Sequence, residues 1–106
     1  MKASVSYQQD LLEFLKNPRA AVAYLNAALE DGDEKAFLLA LRNVMEARGG
    51  LSKFSRLSKI NRVSLYRMLS KEGNPEWGSI MALLQALGVQ FHLVGKPSLK
   101  SQKKAA

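Results

Sequence analysis

The chain contains no cysteine, one histidine and one tryptophan in 106 residues. Lack of cysteine removes the disulfide scaffold, the thiolate nucleophile and every sulfur-based metal site. The single histidine, His92, has no second histidine with which to share a metal, and no Ser/His/acid set has an evident neighbourhood. There is no glycine-rich phosphate loop. No apolar run approaches the roughly 18 residues of a membrane span, and the opening MKASVSYQQD lacks the apolar centre of a secretory signal. These absences predict a cytoplasmic binding protein rather than an enzyme, with no cofactor, no metal, no small-molecule substrate and no membrane association.

What is present is a single domain's worth of residues, 47% hydrophobic and 24% charged, the balance of a soluble globular protein. The net charge of +7 is unevenly placed. Residues 1–50 carry six Lys/Arg against seven Asp/Glu, whereas residues 51–106 carry ten against two. A basic half of this kind predicts a polyanionic partner, most simply nucleic acid. A membrane surface fits less well, because no stretch pairs a basic face with a strong aromatic and leucine face.

Apolar spacing predicts a run of helices. Residues 1–6 have no periodicity and read as a loose end. Leu11, Leu12 and Leu15 line a short helix from Gln8 to Lys16, with Phe14 beside them. Asn17-Pro18 reads as a cap followed by proline at the first helical position. The next helix runs to about Leu29 on a stripe of Ala21, Tyr24, Leu25, Ala28 and Leu29. Glu30-Asp31-Gly32-Asp33 is the turn, with Gly32 left-handed and Asp31 with Glu34 as a capping-box-like start. These four carboxylates within five residues are too few and too close for a calcium loop. Phe37, Leu38, Leu41, Val44 and Met45 then define the most regular helix, from Asp33 to Arg48, with Lys35, Arg42, Asn43 and Glu46 pointing away. Gly49-Gly50 ends it.

Ser52 to Ser70, SKFSRLSKINRVSLYRMLS, splits around Ser58-Lys59-Ile60-Asn61 into two short helices. The first places Phe54 and Leu57 opposite Lys53 and Arg56. Asn61 caps the second, which buries Leu65, Met68 and Leu69 and exposes Val63, Arg67 and Ser70, flanked by Arg62, Tyr66 and Lys71. This is the pattern of a helix-turn-helix whose second helix reads DNA, and equally that of a surface helix pair in an ordinary bundle. Lys71 to Pro75 is a loop, and Trp77, Ile80, Met81, Leu84 and Leu87 form a last amphipathic helix with the tryptophan in its core register. Val89 to Val94, VQFHLV, alternates with period two and predicts a strand. A lone strand needs a partner edge, or else is an extended segment packed on the helices. Gly95 to Ala106 reads as a disordered basic tail.

The blocks Tyr24 to Asp33 (YLNAALEDGD), Phe37 to Val44 (FLLALRNV), Glu46 to Ser52 (EARGGLS), Ser64 to Ser70 (SLYRMLS) and Gly73-Asn74-Pro75 resemble the addiction-module antidote protein family, HigA-like antitoxins with a Cro/lambda-repressor-type helix-turn-helix. The resemblance covers about residues 7–94. It implies an all-α, lambda-repressor-like bundle with an N-terminal helical extension over 1–32, a DNA-binding domain over 33–94 that ends in the short C-terminal strand, and the tail over 95–106. It also implies an antitoxin that neutralises a RelE/ParE/HigB-like toxin and represses their shared operon. By position, Ser52 and Lys53 would hold phosphates, Asn61, Arg62 and Val63 open the recognition helix, and Arg62 and Arg67 contact base edges. Val63 would meet a thymine methyl, while Ser64, Tyr66 and Lys71 position the backbone. The turn glycine usual in the family is Lys59 here, and the small residue of the first motif helix is Ser55.

Double-stranded DNA, a second copy of the chain and a small protein toxin are thus the expected partners. The strand is a candidate dimer seam and the helices before Asp33 a candidate toxin contact. A stand-alone repressor without a toxin, or a helical module that binds an acidic protein, would share the same residues.

Overall fold

The computed structural model describes the backbone of residues 2–98 and the side chains of residues 7–98. Among the described residues there are six α-helices and no strand: α1 (Lys2–Phe14), α2 (Pro18–Glu30), α3 (Glu34–Ala47), α4 (Leu51–Ser58), α5 (Arg62–Met68) and α6 (Trp77–Leu87). The sequence places helix 1 from Gln8, but α1 extends back to Lys2.

Local chemistry sets the boundaries. Asn17 caps α2, its side-chain oxygen accepting from the N–H groups of Arg19 at 2.8 Å and Ala20 at 3.2 Å, with Pro18 at the first position. Gly32 turns the chain at φ 77°. The residue that caps α3 is Asp33, which accepts from the Lys35 N–H at 2.9 Å, and not Asp31, which closes α2. The spine helix α3 ends where the Gly50 N–H returns to the Met45 carbonyl at 2.8 Å.

One apolar core runs through the molecule. Leu15 after α1, Ala21 and Leu25 of α2, five apolar side chains of α3 from Phe37 to Met45 with Ala40 between them, Leu51 and Phe54 of α4, Leu65 of α5, Leu69 after it, and Ile80, Leu83 and Leu84 of α6 are all buried together. α2 lies along α3, α1 joins them, and α4 bridges α3, α5 and α6. Asn43, expected on the outer face of α3, is buried instead. Its amide donates to the Tyr24 hydroxyl at 2.9 Å and its oxygen accepts from Gln8 at 3.4 Å, so α1 and α2 cover that face. Leu57, expected on the core side of α4, is half exposed, since Leu51 and Phe54 already fill that side.

The expected strand at Val89 to Val94 is absent. The segment has no neighbouring edge to complete a ladder, and its alternation is used differently: Val89 and Phe91 pack on the helical core, while Leu93 and Val94 stand in solvent. Trp77 is not a core residue either. It opens α6 one turn ahead of the buried Ile80-Leu83-Leu84 face, is 65% exposed, and stacks on Phe91 with ring centroids 5.1 Å apart. From residue 99 onward the expected tail lies outside the described residues.

Candidate nucleic-acid interface

The candidate interface is built on α4, the turn 59–61 and α5. Lys59 takes the left-handed conformation, at φ 63° and ψ 23°, and is the one non-glycine residue among those described to do so. The turn is tied from both sides. The Ser55 hydroxyl donates to the Ile60 carbonyl at 2.6 Å, and the Ile60 N–H donates to the Ser58 hydroxyl at 3.3 Å. Ser55 is therefore small for a reason: it sits close enough to the turn for its hydroxyl to satisfy the part-buried Ile60 carbonyl. Asn61 then caps α5, accepting from the Ser64 N–H at 3.1 Å.

Leu65, fully buried, and Leu69 anchor α5 to the core; a leucine buried this way contributes about 2 kcal/mol. With that side fixed, the helix presents Arg62, Val63, Ser64, Tyr66 and Arg67 outward, and all nine expected DNA residues, including Ser52, Lys53, Asn61 and Lys71, are exposed. They are not equally free. The Asn61 oxygen is occupied by the cap. The Lys53 ammonium donates to the Arg48 carbonyl at 3.1 Å and lies against the Phe54 ring, so it folds back toward the C-terminal end of α3. Val63, at 65% exposure, is the most open apolar residue of the face.

Sequence reasoning missed Arg42. It belongs to α3, yet its guanidinium lies 5.7 Å from the centroid of the Tyr66 ring, and Arg62 approaches the same ring at 5.7 Å. Glu46, one turn along α3, holds Arg42 through an ion pair of 3.5 Å. Nothing in the spacing of α3 signals this role, because it depends on where α5 comes to rest. Arg56 and Lys59 add further exposed cations beside the turn. Among the described residues no group of His, Asp or Glu gathers as a metal site, and no helix is long and apolar enough to cross a membrane.

Fold and surface together define a small all-α protein that gathers exposed basic side chains on two short helices and the turn between them. Comparison supplies the family: the chain belongs to the probable addiction module antidote proteins, whose family model matches residues 6–95. An uncharacterized protein of Haemophilus influenzae (strain ATCC 51907 / DSM 11121 / KW20 / Rd) is 33% identical over 84 residues, which cover 79% of this chain and 86% of the relative. No solved structure gives a significant match. Membership implies an antidote role, with a toxin as partner.

Proposed function

We propose that this antidote binds double-stranded DNA through the α4–α5 face and represses its own operon, besides neutralising a RelE/ParE/HigB-like toxin. The observation that supports this most is the division of α5: Leu65 is sealed in the core while Arg62, Val63, Tyr66 and Arg67 face solvent on a basic surface. A helix held in that way can enter a major groove, where arginine bonds bidentately to guanine O6 and N7. Arg62 and Arg67 are assigned to base edges and Val63 to a thymine methyl. Ser52, Lys53, Ser64, Tyr66 and Lys71 are assigned to the phosphate backbone, and Asn61 to orienting the first turn of α5. Residues 33–94 are the DNA-binding unit in this reading, and residues 1–32 face the toxin.

One short recognition helix makes too few contacts for specific binding at physiological salt, so the active species is a homodimer on two half-sites about one helical turn apart. The test is a binding measurement on the DNA upstream of the chain's own gene. Wild type should prefer it over random DNA, with affinity falling linearly against salt on logarithmic axes. Arg67→Ala should cost about 1–3 kcal/mol of that preference. Equal binding to random DNA would sink the repressor reading while leaving the antidote role untouched.

A further inference from the structure

An apolar groove opens between the α2–α3 turn, the start of α6 and the segment after it, with a volume of about 410 Å³. Leu29, Phe37, Pro75, Trp77, Ile80 and Phe91 line it. The groove exposes the chain's sole tryptophan at 65% and Leu29 at 42%, side by side with the half-buried Phe91. An exposed tryptophan stacked flat on a phenylalanine is a preformed apolar platform. The rim has a definite sign. Glu30, Asp33 and Glu34 border this groove and its continuation toward Val89, against one cation, Lys96. None of the three carboxylates is ion-paired among the described residues.

We propose that this groove is where the toxin docks, and that it takes an amphipathic segment of the toxin bearing an apolar stripe flanked by Lys or Arg. The proposal rests on the antidote role and moves its surface from residues 1–32 as a whole to the groove that Leu29 shares with α3, α6 and Phe91. Apolar anchors enter between Trp77 and Leu29, and the basic flanks meet Glu30, Asp33 and Glu34. A second copy of this chain would bring to that charge the α4–α5 face, its densest run of exposed cations, which the DNA reading needs free. The groove shares no lining residue with that face.

The experiment uses the full chain labelled with 5-fluorotryptophan, which carries a single fluorine at Trp77, and the unlabelled product of the adjoining reading frame as probe. Toxin binding should shift or broaden the one ¹⁹F resonance. Leu29→Glu and Glu30→Lys alter exposed positions, the second at a helix C-terminus where lysine is favourable, so both should keep the wild-type melting curve. Each should weaken toxin binding by about tenfold or more. Unchanged affinity in both variants overturns the groove proposal and leaves the antidote role standing. Loss of self-association by sedimentation with unchanged toxin affinity assigns the groove to a second copy and likewise overturns it. A wild-type chain that binds no toxin removes the antidote role itself, and this proposal with it.

Discussion

Arg42 and Tyr66, 24 positions apart in the chain, meet with the guanidinium carbon 5.7 Å from the ring centroid. Because Arg62 reaches the same ring, two cations from two helices converge on one exposed aromatic side chain. In the DNA reading this makes Arg42 a phosphate contact that α3 lends to α5. Arg42→Ala should weaken DNA binding uniformly across sequences and flatten the salt dependence by about 0.9 in log–log slope. Glu46→Gln, which releases Arg42 from its carboxylate, should act in the opposite direction. Fluorescence anisotropy at four or five salt concentrations separates the two; an unchanged slope for Arg42→Ala removes it from the interface.

Lys59 bears a left-handed backbone that costs a residue with a Cβ about 1–2 kcal/mol. Lys59→Gly relieves that cost but gains chain entropy in the unfolded state, which returns about 0.4–1 kcal/mol. The expected outcome is a net gain between zero and about 1.6 kcal/mol, read as a rise of a few degrees in Tm. A lower Tm would mean that the lysine side chain itself holds the turn.

Gly73 is a glycine for a different reason, since its φ is not positive. A Cβ there would sit 2.0 Å from the Met68 carbonyl oxygen, and backbone cannot yield as a side chain can. The Lys35 ammonium donates to the Gly73 carbonyl at 2.6 Å and fixes the loop from the other side. Gly73→Ala should therefore destabilise the fold by about 1–3 kcal/mol, measured by urea denaturation. Lys35→Met should destabilise it by about 1–2 kcal/mol through the lost charge-assisted bond.

The Tyr24 hydroxyl accepts from the amide of buried Asn43. Tyr24→Phe keeps the ring but leaves that N–H without its protein partner, at a cost of about 1–2 kcal/mol. Asn43→Leu in the same background should recover part of the loss, because removing both polar partners is cheaper than removing one. A double-mutant cycle by thermal melts gives the coupling directly; additive losses would show that the bond contributes nothing.

Elements whose boundaries depend on local chemistry were legible from residues alone. Asn17-Pro18, Gly32, Lys59 and Asn61 each act within a turn of where they stand, and the structure has them at the corresponding junctions. Positions that depend on a neighbouring element were not. Asn43 has the spacing of an outer-face residue until α1 and α2 cover it, and Arg42 joins the α5 surface only through tertiary placement. Trp77 has the right interval from Ile80, but the core reaches α6 only from Ile80 onward. At Val89 to Val94 the period-two pattern holds for Val89 and Phe91, which pack on the core, but breaks at the exposed Leu93, and no edge among the described residues lies beside this segment to make it a strand.

The continuous core from Leu15 to Leu84 sets how such a protein can diversify. Cutting the chain near residue 32 would strip Leu15, Ala21 and Leu25 from the same packed cluster that seats α5, so the two halves cannot be shuffled between relatives as cassettes. If the proposed surfaces hold, new pairings have to be written side chain by side chain, operators through the outer residues of α5 and toxins through the rim of the groove, with the interior left as common property of both.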